Sequence, residues 1–302
     1  MNLTSQYIVN PKSRKAYFNS EASYKSIRTT NTRLRLHDDR QILNLKEKDV
    51  FRVGKVKFKM IRCPIGQFKM GDENILTKIE RPFLLGETEV TQELFQLIMG
   101  YNPSEFQGKN YPNSKQRPVE QVTWYDAVVF CNKLSEKLRK KPYYNISKEK
   151  HIKAKVNNKN KTLPNIGTAD ITINPQANGF RLPDEKEWVY AAKAGTNNQW
   201  AGTNDEGKLD EVAWYFDNSN KQTHPVKGKR KNEWGFYDMT GNVLEWCGDL
   251  EASKLPKGVS IGGYYCGLKG HQHFNHTLQY PPPYSEYLKS SVGFRIASML
   301  VN

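Results

Sequence analysis

The side chains of this sequence with the widest chemical reach are gathered near its C-terminus. Between Gly262-Gly263 and Gly293-Phe294-Arg295 lie Tyr264, Tyr265, Phe274, Tyr280, Tyr284 and Tyr287, with His271, His273 and His276 interspersed. Two chemistries suit such a set. Tyrosine offers large amphipathic contact area at low entropic cost, the property on which antibody paratopes rely. The H-x-H-x-x-H spacing of the histidines offers imidazole ligands to Zn, Cu, Fe or Ni. Metal ligands must be held rigidly by groups behind them, and a Gly/Pro-flanked loop is a poor start for that. Any single ring here could fill a core, but nine such residues together read as a recognition surface.

The segment shows neither a period of 3.6 residues nor strict alternation, and Pro281 to Pro283 exclude a helix there. The elements that position it must come from the rest of the chain. Phe51, Val53, Val56, Phe58 and Met60 alternate as a strand that continues towards Phe68-Lys69-Met70-Gly71. Pro82 to Thr91 reads as a strand entering a helix, with Thr91 as N-cap, Leu94, Phe95, Leu97 and Ile98 buried, and Gly100 as the stop. In a second helix Thr123 and Asp126 have capping-box spacing ahead of an apolar stripe from Ala127 to Leu134. Strand-like pieces follow at residues 143–146 and 171–173. A third helix starts at Pro183, in the first helical position, and is closed by Gly195. Beyond Thr196 regular structure thins out.

Composition bounds the classes. Of 302 residues, 37% are hydrophobic and 12% aromatic, enough for a ring-rich core, and no run approaches the length of a membrane helix. The net charge of +15 raises nucleic acid or an anionic membrane as partners. The lysines are spread widely and no nucleic-acid-binding motif accompanies them, so nucleic acid is not the expected partner. Residues 1–50 form a polar arm that cannot bury much surface, leaving 51–302 as the folded domain. Met1 to Asn10 lacks the apolar core of a secretory signal, so the chain is cytoplasmic or has its signal elsewhere. The four cysteines lack zinc-like or CxxC spacing and read as free thiols.

Seven landmarks recur in a fixed order: Phe68 to Gly71, Glu87 to Thr91, Pro118 to Trp124, Gly179 to Pro183 with Glu187-Trp188, Gly241-Asn242 to Glu245-Trp246, Gly262-Gly263 and Gly293-Phe294-Arg295. In this order they resemble the formylglycine-generating enzyme (sulfatase-modifying factor) family. The resemblance implies one α+β domain of the C-type-lectin type with much irregular backbone. Oxidase members hold copper with two closely spaced C-terminal cysteines. Here Cys266 lies near the first of these positions, and no cysteine follows it. Relatives also carry a structural cation at positions matching Asn242 and Glu245, so a bound Ca2+ is one reading of that pair. A satisfied polar network around Trp246 is the other. No further cofactor is required. The N-terminal arm contains only His37 and is too short to be the iron-binding domain of sulfoxide-synthase relatives.

One branch of the family comprises the variable proteins of diversity-generating retroelements, treponemal ones among them. Their C-terminal codons, between a Gly-Gly and a Gly-Phe-Arg motif, are rewritten by adenine-directed mutagenesis, and the proteins act as selectable binders. The genetic code agrees in part. Mutating the adenines of an AAC codon reaches Tyr, His, Phe, Ser, Leu, Pro, Gly and Cys, the types that dominate residues 264–291. It cannot reach Lys269, Gln272, Gln279, Glu286 or Lys289, which must be fixed in the template or come from other codons. This resemblance implies a non-enzymatic, receptor-like protein with a variable region at about 259–298 and a protein or other macromolecular ligand. Similar proteins are often cell-surface lipoproteins, though no lipobox is present here. Two other readings stay open: a copper oxidase of protein cysteines, and a catalytically silent subunit of a cell-envelope machine.

Overall fold

A computed structural model describes residues 48–155, 162–248, 258–268, 278–280 and 290–300. Every described residue belongs to the unit Leu45–Asn302. Most of the expected polar arm therefore lies outside the described residues. Its last residues join a strand, β1 (Lys48–Val53).

The single long strand expected from Phe51 to Gly71 is three strands. Gly54, at a φ of +57°, reverses the chain after β1, and Val53 pairs with Val56 at the start of β2 (Val56–Cys63). Glycine at the first position of a two-residue turn is what such a hairpin demands. After Pro64 the chain leaves the sheet, and β3 (Gly66–Met70) pairs only with β4 (Ile75–Ile79). Alternation survives a tight turn, so it could not locate these breaks.

With β5 (Phe83–Gly86), β8 (Phe180–Arg181) and β13 (Ala297–Met299), the first hairpin forms a five-stranded sheet in the order β1-β2-β5-β13-β8. Helix α1 (Gln92–Met99) starts where Thr91 Oγ1 accepts the Leu94 N–H at 3.4 Å and ends at Gly100 in the left-handed region. Leu94 and Phe95 are buried as expected, but Leu97 is 44% exposed, on the solvent side of this two-turn helix. Helix α2 (Trp124–Lys137) opens with the expected capping box, Thr123 and Asp126 exchanging bonds of 2.9 Å. Helix α3 (Glu185–Lys193) begins later than expected. Asp184 is the N-cap, with Glu187 completing a capping box, so Pro183 precedes the helix instead of opening it. The helix ends at Lys193, as expected, with Ala194 and Gly195 both in the left-handed region. A short α4 (Leu209–Val212) follows.

Aromatic rings join these pieces. Phe95 stacks on Phe130 at 5.6 Å, and Phe294 of the Gly-Phe-Arg motif meets Phe130 edge-on at 5.2 Å. This contact anchors the C-terminal frame on α1 and α2. The mixture of short helices, small sheets and irregular backbone is the expected α+β, C-type-lectin-like architecture. Two further sheets complete it. The strand-like pieces near 143–146 and 171–173 are the root of a long hairpin, β6 (Tyr144–Lys155) with β7 (Thr162–Ile173). The other sheet has the order β11-β10-β9-β12, from β9 (Leu244–Trp246), β10 (Gly258–Ile261), β11 (Leu278–Tyr280) and β12 (Val292–Gly293).

Candidate ligand-binding surface

Both ends of the C-terminal segment converge on one residue. Ile261, just before Gly262-Gly263, pairs antiparallel with Glu245, and Gly293 pairs with Glu245 on its other side in parallel. Strand β9 thus lies between β10 and β12 and holds the exit and the return of the chain side by side.

Buried polar groups lock this arrangement. The Glu245 carboxylate accepts from Arg295 Nε and Nη2, each at 2.6 Å, and from Trp188 Nε1 at 2.9 Å. Arg295 also donates to the carbonyls of Gly86 at 3.1 Å and Tyr237 at 3.2 Å. All three side chains are fully buried, so the pair has bidentate geometry where water cannot compete. Gly262 lies against Trp188: a Cβ there would sit 2.8 Å from Trp188 Cζ2. The Gly-Gly and Gly-Phe-Arg motifs are therefore parts of one buried joint.

Two more buried carboxyls face Arg295. Burial pushes Glu89 well above the usual carboxylate range, reinforced by the charges of Asp238 and Glu245. Burial likewise raises Asp238 to about 6. Asn242 has its own partners: its Oδ1 accepts the His224 N–H at 2.9 Å and its Nδ2 donates to the His224 carbonyl at 3.3 Å. A cation at Asn242 and Glu245, which the family resemblance implied, would have to displace these partners and Arg295. The buried carboxylate oxygens without a hydrogen-bond partner among the described residues are Glu89 Oε1 and Asp238 Oδ1. No group of three or more His, Cys, Asp or Glu among the described residues is placed to hold a metal ion.

Beyond the lock the chain turns onto the surface. Tyr264 is half-buried and packs against the main core. Tyr265, expected as a contact residue, is only 6% exposed. Its ring meets Phe106 edge-on at 5.2 Å, its hydroxyl lies 3.0 Å from Ser290 Oγ, and its carbonyl accepts from Ser219 Oγ at 2.6 Å. The aromatic edge contact and these bonds draw the ring inward, so Tyr265 supports the surface from beneath. Cys266 is half-buried, and burial raises its thiol above the ordinary value. Leu268, at 57% exposed, continues the surface, and the Gly267 carbonyl accepts the N–H of Phe216, itself 43% exposed.

Phe216, Leu268 and the supporting Phe106 were not singled out from sequence. The run Trp214-Tyr215-Phe216 was a signal, but it falls where periodicity gives no direction to a side chain. Tyr280 pairs through its backbone with Gly258 in β10. His271, His273, Phe274, His276, Tyr284 and Tyr287 lie outside the described residues.

The Phe106 loop depends on a titratable group. Glu120 is fully buried, and its carboxyl oxygens accept the N–H groups of Glu105 and Phe106, each at 3.0 Å. Burial pushes this carboxyl up to about 8, against the opposing pull of the two N–H groups. An unfolded Glu titrates near about 4.3. Folding therefore takes up a proton, and the stabilisation present below about pH 4.3 is lost as pH rises towards about 8. Denaturant midpoints should fall across that window, with Asp238 and Glu89 contributing in the same direction, and Glu120→Gln should flatten the slope. A wild-type midpoint constant from pH 5 to pH 8 would refute this.

Residues 48–300 match the model of the sulfatase-modifying factor enzyme 1-like domain, known as FGE-sulfatase. The chain belongs to this family. Among solved FGE-sulfatase-like structures, that of Treponema denticola variable protein 1 is similar with a TM-score of 0.70 and 34% identity, covering 84% of this chain and 99% of that one. The Chaperone protein LppX of Paenibacillus barcinonensis is 43% identical over 185 residues. That match covers 55% of this chain and spans only 61% of the relative's length. The formylglycine-generating enzyme of Mus musculus is 25% identical over 283 residues, covering 80% of this chain and 75% of that enzyme. FGE-sulfatase relatives thus include both enzymes and a variable protein.

Proposed function

We propose that this chain is a non-enzymatic, receptor-like binding protein whose contact surface is carried by the segment between Gly263 and Ser291 and diversified by a retroelement. The observation that carries the reading is the buried joint. Glu245, Trp188 and Arg295, which fix both ends of the segment, all lie outside it. Side chains within the segment can change while the joint stays constant, which is what a rewritable surface needs. The likeness to Treponema denticola variable protein 1 over 84% of this chain supports the same reading.

Oxidase chemistry is not favoured by the thiols. A reactive cysteine has a lowered pKa, whereas that of Cys266 is raised, and Cys63, Cys131 and Cys247 are buried. One thiolate also falls short of the paired soft ligation that Cu(I) needs. The ligand on this reading is a protein or another macromolecule met by Tyr264, Phe216, Leu268 and the Tyr- and His-rich residues 271–287.

The test is deep sequencing of codons 259–298, with the adjoining DNA, across a cultured population. Substitutions clustered at the adenine positions of a nearby near-identical repeat are expected. A uniform segment with no such repeat would exclude diversification. A protein check accompanies it: Tyr264→Ala with Leu268→Ala should leave the domain folded, because both sit outside the joint. Loss of the unfolding transition would place them in the core instead.

A further inference from the structure

We propose that Arg117 and Thr223 form a binding site for an oxyanion, a carboxylate or a phosphate, at the edge of the contact surface. Arg117 follows a short 3-10 turn (Ser114–Gln116). Its carbonyl accepts the Gln92 N–H at 2.9 Å, and the neighbouring Gln116 carbonyl accepts the Val226 N–H at 2.9 Å. The backbone is thus held from both sides, and the residue is only 5% exposed.

A buried guanidinium calls for a counter-charge, because leaving water costs it more than neutral hydrogen bonds return. The other buried arginines among the described residues have one. Arg295 grips Glu245 through Nε and Nη2, and Arg181 binds both oxygens of Glu187, every contact at 2.6 Å. Arg117 has no ion pair among the described residues: Nη1 donates to the Thr223 carbonyl, and Nε is buried without a partner. Nearby Glu93 is taken by Gln116 at 3.2 Å and Lys115 at 4.0 Å. Glu120 acts on Arg117 only through charge, its oxygens accept two backbone N–H groups, and burial pushes it up to about 8. At neutral pH it is therefore mostly protonated. Burial accordingly holds Arg117 below the ordinary arginine range, whereas in Arg181 and Arg295 burial is outweighed by Glu187 and Glu245.

The edge of Arg117 left over, Nε with Nη2, is the one with which Arg295 holds Glu245. That fork matches two oxygens of a carboxylate or phosphate. Thr223 Oγ1 is buried and also without a partner, on the residue whose carbonyl holds Nη1. Its hydroxyl can donate one further bond. The Tyr111 ring lies over the guanidinium, its centroid 5.6 Å from Cζ, on a loop whose residues 108–110 and 112–113 are exposed. Residues 106–119 contain Lys109, Lys115 and Arg117 and no Asp or Glu, so the approach is basic. Tyr111 also meets Phe106 edge-on at 5.3 Å, and Phe106 supports Tyr265. The site therefore borders the contact surface yet uses no residue between Gly263 and Ser291, and it stands whether or not that segment is diversified. The anion is either a free ion or an acidic side chain of a bound protein.

Calorimetric titration of the full chain with inorganic phosphate, in about 0.15 M sodium chloride, should show one saturable site with a Kd of about 1 mM or tighter. Competition by a hexaglutamate peptide would assign the site to a protein carboxylate, and phosphate binding that the peptide leaves unchanged would assign it to a free ion. Arg117→Lys keeps the net charge but lacks the fork, and should weaken phosphate binding at least about tenfold. Thr223→Val should weaken it about threefold. The control Lys57→Gln, at an exposed position of β2, should change it less than about twofold. The parent titration and Thr223→Val carry the test if Arg117→Lys does not fold. Absence of saturable phosphate binding in the parent, unchanged affinity in the site variants, or an equal loss in Lys57→Gln would each overturn the proposal.

Discussion

Replacing Glu245 by alanine is expected to destabilise the domain by about 3–5 kcal/mol, the cost of breaking a buried ion pair from one side. The Arg295 guanidinium would stay in a fully buried site with only the carbonyls of Gly86 and Tyr237 as hydrogen-bond partners, Glu89 and Asp238 acting on it only through charge, and Trp188 Nε1 would lose its acceptor. Set against a whole-domain stability of about 5–15 kcal/mol, that is a large fraction. For a domain of this size it corresponds to a drop in unfolding temperature of roughly 6–20 °C. The joint variant Glu245→Leu with Arg295→Met should recover much of the loss, because removing both charges also removes their desolvation cost. A single Glu245→Ala variant that melts within about 2 °C of the parent would show that the pair does not hold the frame.

Gly262→Ala should cost about 3 kcal/mol from two sources acting together. The backbone φ of +102° is one that L side chains rarely adopt, a strain of about 1–3 kcal/mol. The new methyl would also lie 2.8 Å from Trp188 Cζ2 and 3.0 Å from its Cη2. Trp188 is fully buried and tied to Glu245, so it cannot step aside without loosening the ion pair, and overpacking adds about 1–3 kcal/mol. Gly71→Ala separates the two sources. That glycine is also in the left-handed region, at φ +70°, but open space surrounds the added carbon, so only about 1 kcal/mol of backbone cost is expected. Thermal unfolding of both variants measures the difference, and equal losses would remove Trp188 from the explanation.

What could be read from the sequence follows from the range of each signal. Caps are local, and Thr91, the Thr123–Asp126 box and Gly100 take the positions their neighbours imply. Hydrophobic alternation is also local but blind to reversals, which is why β1, β2 and β3 read as one strand. Pro183 fits the first turn of a helix on its own, yet Asp184 and Glu187 together made the better cap. The site divides along the same line. Its frame was legible in the Gly-Gly and Gly-Phe-Arg motifs, but the pairing of Glu245 with Arg295 was not, because it joins residues 50 positions apart. Nor was the inward turn of Tyr265, since it depends on Phe106 and Ser219, far away in sequence. Phe216 was missed for the same reason: the carbonyl that accepts its N–H belongs to Gly267.

Pinning both flanks of β9 has a consequence for how the protein can evolve. Residues 262 and 293 emerge beside the same strand whatever lies between them. The entropy of closing such a loop grows only logarithmically, about 0.6 kcal/mol for each doubling of its length. Insertions and deletions between the two anchor points therefore cost the fold little more than substitutions do. On the proposed reading, the domain could vary the reach and curvature of its contact surface as well as its chemistry.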